Sequence, residues 1–241
     1  NIRMKLSKRL ETVASMVTKG NRAADVGCDH GFVPIFLVES GTSPLAVAAD
    51  VRPGPLSRAK EHIKEHRLEE KIQTRLSDGL ANIKPDEADS LIMSGIGGIL
   101  MMRLLQDEEH TAKSFKELIL SPQSELFDVR RYLVSNGYLI EYEHMICDEG
   151  KYYFIFHVLV KKDEREWSEE EYRYGKDICK DDMKTFLAYL EKEERQYEQI
   201  LEKMKQAPEN DRAAQRIAQL HQDITCLKKR RQLVYDCGCF A

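Results

Sequence analysis

Six cysteines are scattered through 241 residues with no C-x-x-C pair and no histidine at zinc-finger spacing. No metal site is therefore expected, and Cys237 and Cys239, the one close pair, are too few to build one. A disulfide framework is equally out of place in a chain this long, so the thiols read as reduced and the compartment as cytoplasmic. Long apolar runs are missing too. The longest, residues 91–102, spans 12 positions and contains three glycines, against the roughly 20 apolar residues of a membrane span. Residues 1–10 are basic but lack the apolar middle and small-residue cleavage site of a secretory signal, so none is expected. Charge of one sign is also lacking: 37 basic against 41 acidic residues leave −4, which excludes a uniformly basic nucleic-acid binder. What is present is 42% apolar and 32% charged residues, enough for a solvated globular fold with a real core.

From residue 21 to 162, short apolar runs alternate with helix-like stretches, the pattern of a largely parallel sheet flanked by helices. Strands are expected at 22–27, 44–50, 72–77, 88–94 and 117–121, with helices at 32–39, 54–66, 97–106 and 125–135. After the turn pair Asn136-Gly137, residues 138–146 and 151–160 follow each other with only Asp148-Glu149-Gly150 between them. That spacing fits a hairpin, so the sheet should end antiparallel. The expected fold is α/β: a Rossmann-like, doubly wound sheet, mostly parallel, in the variant with a terminal antiparallel hairpin.

Beyond residue 162 the composition changes. Residues 167–235 hold one proline and one glycine and are rich in Glu, Lys, Leu and Tyr. Two heptad seams run through Met183, Leu187, Leu190, Glu194, Tyr197, Leu201 and Met204, and through Ala213, Ile217, Leu220, Ile224, Leu227, Arg231 and Val234. A helix-ending signal at 206–210 separates them. Two helices of about 25 residues, roughly 35 Å long, should fold back as an antiparallel coiled-coil hairpin. Two domains are expected: 1–162, the ligand-binding sheet, and 163–241, the helical hairpin.

In an open α/β sheet the ligand lies beyond the carboxyl ends of the strands, near the reversal of strand order. Four polar features fall there. Asp25-Val-Gly27-Cys28-Asp29-His30-Gly31 is a turn whose glycines let the main chain approach a ligand. Asp50, followed by Val51, stands 19 residues beyond Gly31, placed to accept from two ribose hydroxyls. Asp78-Gly79 suits the exocyclic amine of an adenine. Ser94-Gly95-Ile96-Gly97-Gly98 is lean enough for a substrate to lie against its main chain. Each aspartate alone is better explained as a helix cap or solvated loop end. Together they describe one ligand, a nucleoside whose other end is cationic. A carboxylate at Asp29 repels pyrophosphate but tolerates a sulfonium or an ammonium, which argues against a dinucleotide.

Leu6-Ser-Lys-Arg-Leu10, Asp25-Val-Gly-Cys-Asp-His30, Asp78-Gly-Leu80 and Ser94-Gly-Ile-Gly-Gly98 resemble the bacterial tRNA (adenine-22, N1)-methyltransferase family over nearly the whole chain, C-terminal hairpin included. The resemblance implies S-adenosylmethionine as methyl donor and a tRNA adenine ring nitrogen as acceptor. It places Asp25, Gly27, Asp29 and Gly31 on the methionine side, Asp50 on the ribose and Asp78 on the adenine, with Cys28, Val51, Gly79, Ser94 and Gly95 beside them. Asp29, His30, Ser94 and Gly95 are the catalytic candidates. Lys5, Lys8, Arg9, His30, Gly97, Gly98 and Gln123 are the substrate-binding candidates. One departure is Ser121-Pro122-Gln123, where some members carry Gln-Pro-Asn.

Binding RNA needs cations. Arg3, Lys5, Lys8 and Arg9 precede the first strand, Arg130-Arg131 lie on a later helix, and residues 228–231 are Lys-Lys-Arg-Arg. These runs are expected to converge near the ligand mouth, although a charge run is more often a solvated face. The hairpin, with 15 basic and 18 acidic residues over 163–241, nets −3 and should meet RNA along one side or its base. A monomer is favoured. Two further readings use the same residues: a methyltransferase for another RNA or a small molecule, and a non-catalytic RNA-binding scaffold.

Overall fold

A computed structural model describes residues 4–206 and 210–237. Arg3, Pro208 and Cys239 lie outside the described residues. Seven strands form one sheet: β1 (Ala23–Val26), β2 (Ala46–Asp50), β3 (Ile72–Leu76), β4 (Ser90–Ile96), β5 (Glu117–Pro122), β6 (Leu139–Asp148) and β7 (Lys151–Leu159). Their order is β3-β2-β1-β4-β5-β7-β6. β1 pairs parallel with both β2 and β4. β7 is antiparallel to β5 on one side and β6 on the other, so the second arm of the hairpin fills the gap between β5 and the edge.

The sheet is covered on both faces, which is why its central strands are apolar apart from the acidic residues near their carboxyl ends. Every residue of β1 and β2 is buried, and alanines at 23, 24, 46, 48 and 49 bring helices close. Alternate side chains divide between two cores. Ala23, Ala48, Ile92, Ile119 and Ile155 face one way, under α1 (Lys8–Ser15), α2 (Phe32–Glu39) and α3 (Pro53–Glu65). Ala24, Val47, Leu91, Met93, Leu118, Leu120, Phe154 and Phe156 face the other, under α4 (Gly98–Asp107) and α6 (Leu126–Ser135).

Two differences from the sequence reading are local. β4 starts at Ser90 rather than 88; just before it, the Asp89 carboxylate accepts from the Arg22 backbone N–H and Nε, both at 2.9 Å. It also continues past Ser94 through a bulge at Gly95. The basic opening segment, expected only as a cationic stretch, turns helical: the Ser7 hydroxyl caps α1 by accepting from Leu10 N–H at 3.3 Å, and Val13 and Ala14 face the core. The short α5 (Glu109–Ala112) was also not expected.

After β7 come α7 (Glu169–Tyr174), a 3-10 turn at Lys180–Asp182, α8 (Met183–Lys205) and α9 (Asp211–Asp236). Glu194 pairs with Arg231, Glu198 with Lys228, and Leu201 packs with Leu220 and Ile224, so α8 and α9 run antiparallel. The base of this hairpin is continuous with the sheet. Phe186, Leu190, Leu227 and Val234 belong to the same core as β4, β5 and β7. An ion pair with both side chains fully buried, Arg130–Glu143 at 2.8 Å, ties the junction: Arg130 also donates to the carbonyls of Tyr172 and Arg173.

Candidate active site

A cavity of about 890 Å³ opens where β1 and β4 part, at the carboxyl ends of the strands. That is the switch point at which open α/β sheets hold ligands. The β1–α2 turn forms one wall. Gly31 adopts φ +75°, and a Cβ there would stand 3.0 Å from the Ala59 Cβ, so glycine permits both the turn and the close approach of α2 to α3. The turn is fastened to β2. Gly27 and Cys28 donate their N–H groups to Ala49 O, each at 2.9 Å, and Asp29 N–H donates to Asp50 Oδ2 at 3.2 Å.

Asp50 is buried, and its other oxygen accepts from Arg52 N–H at 2.9 Å and Arg52 Nε at 3.4 Å. Arg52 also reaches Asp29 at 3.9 Å, and His30 Nε2 lies 3.6 Å from the same carboxylate. Opposite them, Asp78 meets Arg103 at 3.3 Å, while Ser77 Oγ donates to Gly79 O at 2.7 Å and closes that turn. At the floor, burial raises the Asp25 carboxyl from 3.8 to about 7, the charges of Asp50 and Asp29 add to it, and Arg9 opposes. Burial and the same three carboxylates push the Cys28 thiol up.

The acceptor side is built around Gly95. Arg9 Nη1 and Gln123 Nε2 come within 3.4 and 3.8 Å of where a Cβ of residue 95 would stand, so the missing side chain leaves the space in which they converge. Arg9 donates to Ser94 Oγ at 2.8 Å, and its guanidinium lies over the Tyr153 ring. Asp25, Gly27, Cys28, Asp29, His30, Asp50, Val51, Asp78, Gly79, Ser94, Gly95, Arg9 and Gln123 all line the cavity.

Other expected residues fall elsewhere. Gly31 stands behind the wall as the N-cap of α2. Gly97 and Gly98 are not among the cavity residues. Gly98 is a packing glycine: its N–H donates to Ser124 Oγ at 3.1 Å, and a Cβ would come within 2.4 Å of Ser124 O. Lys5 is exposed outside the cavity, and Lys8 donates to Cys147 O at 3.2 Å. Of the described residues in the basic runs expected to converge, Arg9 alone lines the cavity. Arg130 is fully buried with Glu143, and the guanidinium of Arg230, itself buried, donates to Gly175 O at 3.0 Å. Lys229 pairs with Glu170 at 2.9 Å, and Lys228 and Arg231 both reach Glu194. Arg130 and Arg230 are spent inside the fold, as buried charges must be, whereas Lys228 and Lys229 make their pairs at the surface.

Sequence reasoning missed Arg52, Arg103 and Leu104, and a ring column beside the mouth. His30 stacks on Phe32 with centroids 5.3 Å apart, and Phe32 on His62 at 5.2 Å. Arg52, two residues past Asp50, carried a usable signal; Arg103 did not, since its i,i+4 partner Asp107 makes it look like an ordinary helix pair.

Acidic strand ends around a glycine turn, on a sheet of this order, define an S-adenosylmethionine-type methyltransferase. Consistent with that class, residues 6–156 match the family model described as "Methyltransferase domain". The tRNA (adenine(22)-N(1))-methyltransferase of Bacillus subtilis is 28% identical over 232 residues, covering 94% of this chain and 97% of the relative. A Streptococcus pneumoniae crystal structure, provisionally assigned as a tRNA (m1A22) methyltransferase, shares 33% identity at TM-score 0.84, covering 93% and 99% of the two chains. A structure of TrmK from M. capricolum in complex with S-adenosyl-homocysteine shares 26% identity at TM-score 0.82, covering 95% and 99%. The chain belongs to the bacterial tRNA (m1A22) methyltransferase family.

Proposed function

We propose that this protein transfers a methyl group from S-adenosylmethionine to N1 of adenine 22 in tRNA. The carrying observation is the cavity at the β1/β4 switch point, where four aspartates meet a glycine turn and no phosphate-binding glycine replaces Asp29. These residues fit the donor. Asp50 is the ribose acceptor, Asp78 the partner of the adenine amine, and Asp25 and Asp29 face the cationic methionine end. Gly31, Cys28, Val51 and Gly79 shape the walls. Bound there, the donor supplies an electrophilic methyl group on a positively charged sulfur.

The residues around Gly95 receive the acceptor base. Adenine N1 carries a free lone pair at neutral pH, so no base has to remove a proton before attack. As the N–C bond forms and the C–S bond breaks, the positive charge passes from sulfur to the purine. Asp29, the Ser94 hydroxyl and the Gly95 main chain are placed to stabilise that charge, and His30 and Gln123 to contact the base. Holding the reactants in line can supply roughly 7–11 kcal/mol in favourable intramolecular cases. Lys5, Lys8, Arg9 and the rim arginines Arg52 and Arg103 are the cations on the RNA approach, and the helical segment 163–241 is the orienting domain for tRNA. No helix among the described residues is long and apolar enough to cross a membrane; we place the reaction in the cytoplasm, on a monomer. The test is incubation with labelled donor and unmodified tRNA, then mass spectrometry of the nucleosides. One 1-methyladenosine per tRNA, lost when adenine 22 is replaced by guanine, is expected. Label on another nucleoside, or none, overturns the reading.

A further inference from the structure

Away from the cavity, three reactive side chains meet where the sheet edge joins the helical hairpin. His144 lies on the edge strand β6, Cys179 follows α7, and Asp182 ends the 3-10 turn before α8. Asp182 Oδ2 accepts from His144 Nδ1 at 2.7 Å and from Met145 N–H at 3.1 Å, which fixes the imidazole. The other ring nitrogen, Nε2, points at Cys179 Sγ, 3.9 Å away. Asp182 first, then Cys179, raises His144 to about 10 against the opposing effect of burial, so the ring is an imidazolium at neutral pH.

We propose that Cys179, held against the His144–Asp182 pair, is a thiol-modification site that takes low-molecular-weight disulfides. An imidazole fixed by a carboxylate and aimed at a sulfur stabilises negative charge that develops there, the setting in which a cysteine reacts. Geometry also supplies selectivity. Cys28 is buried among carboxylates, and the Cys226 thiol is pushed up, chiefly by burial. Cys147 shares β6 with His144 but has no imidazole against it in the contacts described. In the step itself the Cys179 sulfur attacks one sulfur of the disulfide and forms a new S–S bond. The old S–S bond breaks, Cys179 is oxidised, and the departing thiolate is the reduced product, taking a proton from water. The adduct sits at the junction, since Cys179 N–H donates to Glu143 O at 2.9 Å and Glu143 is the partner of Arg130.

The full chain is incubated at pH 7 with oxidised glutathione, and each cysteine peptide is followed by mass spectrometry. Cys179 is expected to gain the mixed disulfide at least tenfold faster than Cys147. His144→Gln should slow Cys179 by tenfold or more and leave Cys147 unchanged, and Asp182→Asn should slow it less. Far-UV circular dichroism shows which variants are folded. A folded His144→Gln or Asp182→Asn with an unaltered Cys179 rate overturns the proposal, as does Cys147 reacting first. Retention of one equivalent of zinc through gel filtration, with full protection of Cys179, also overturns it and makes the cluster a metal site.

Discussion

Asp25 offers the sharpest test of how the site is built, because it should weaken the free fold in order to hold a cation. Its carboxyl is buried, beside two other carboxylates, and titrates at about 7 in the fold against 3.8 for a model aspartate. At about 1.36 kcal/mol per pH unit, that interval corresponds to roughly 4 kcal/mol. The folded protein holds the proton more tightly than the unfolded chain between about 3.8 and 7. Stability from this residue therefore falls as pH rises through that window, and the whole deficit is present above it. Asp25→Asn keeps the shape and removes the charge. The variant should be more stable than wild type by about 2–4 kcal/mol at pH 8, less than the full figure because a buried amide also needs partners. The gain should shrink to a few tenths of a kcal/mol near pH 4. Urea unfolding at pH 8, 6 and 4 measures it.

The same change should harm donor binding. A sulfonium or ammonium favours the ionised carboxylate, so wild-type affinity for S-adenosylmethionine should rise with pH up to about 7, and Asp25→Asn should lose both affinity and that pH dependence. S-adenosyl-homocysteine, without the sulfonium charge, should lose less. Calorimetry with the two ligands separates the effects. A variant no more stable than wild type at pH 8, or a gain that does not change with pH, would refute the assignment of a desolvated carboxylate.

Two other expectations concern the frame. Arg130→Ala should destabilise the protein by about 3–5 kcal/mol, since it leaves Glu143 fully buried and unpaired; Arg130→Met with Glu143→Leu should recover most of that in a thermal melt, and no recovery would show that the carbonyl contacts to Tyr172 and Arg173 dominate. Burial would raise Glu117, but bonds from His157, Ser90 and Thr18 outweigh it and bring the carboxyl from 4.5 to about 2. Its contribution, roughly 3 kcal/mol, is present above pH 4.5 and fades as pH falls towards 2, so Glu117→Gln should flatten the acid limb of the stability curve, and an unchanged limb would count against it.

The strands and acidic turns were legible because each leaves a local mark. A strand covered on both faces is apolar along its length, and β1 and β2 are fully buried and apolar except for Asp25 and Asp50 near their carboxyl ends. Asp25, Asp50 and Asp78 stand at or just past strand ends where the chain meets glycine or turns. The two heptad seams were legible for the same reason, and Leu190, Leu201, Leu220 and Leu227 are buried as their spacing requires. Gly97 and Gly98 show the limit. A run of glycines looks the same whether a ligand or a neighbouring chain segment approaches it, and at Gly98 the neighbour is Ser124.

Charges were the least legible, because the fate of a cation is decided by what lies across from it after folding. Arg130 and Arg131 are adjacent, yet Arg130 points inward onto Glu143 and the rings of Phe154 and Phe156, while the Arg131 guanidinium lies over Phe127. The four residues 228–231 divide in the same way among Glu194, Glu198, Glu170 and the Gly175 carbonyl. All of those partners lie 30 or more residues away in sequence. Arg9 moves in the opposite direction: grouped by sequence with Lys5 and Lys8, it turns into the cavity once α1 sets its direction and Ser94 accepts from it. A basic run therefore predicts an RNA surface only after its tertiary partners have been subtracted. In this fold the subtraction removes Arg130 and Arg230, which are buried, while Lys228 and Lys229 keep about half of their surface in water beside their partners, as Arg52 and Arg103 do at the cavity rim.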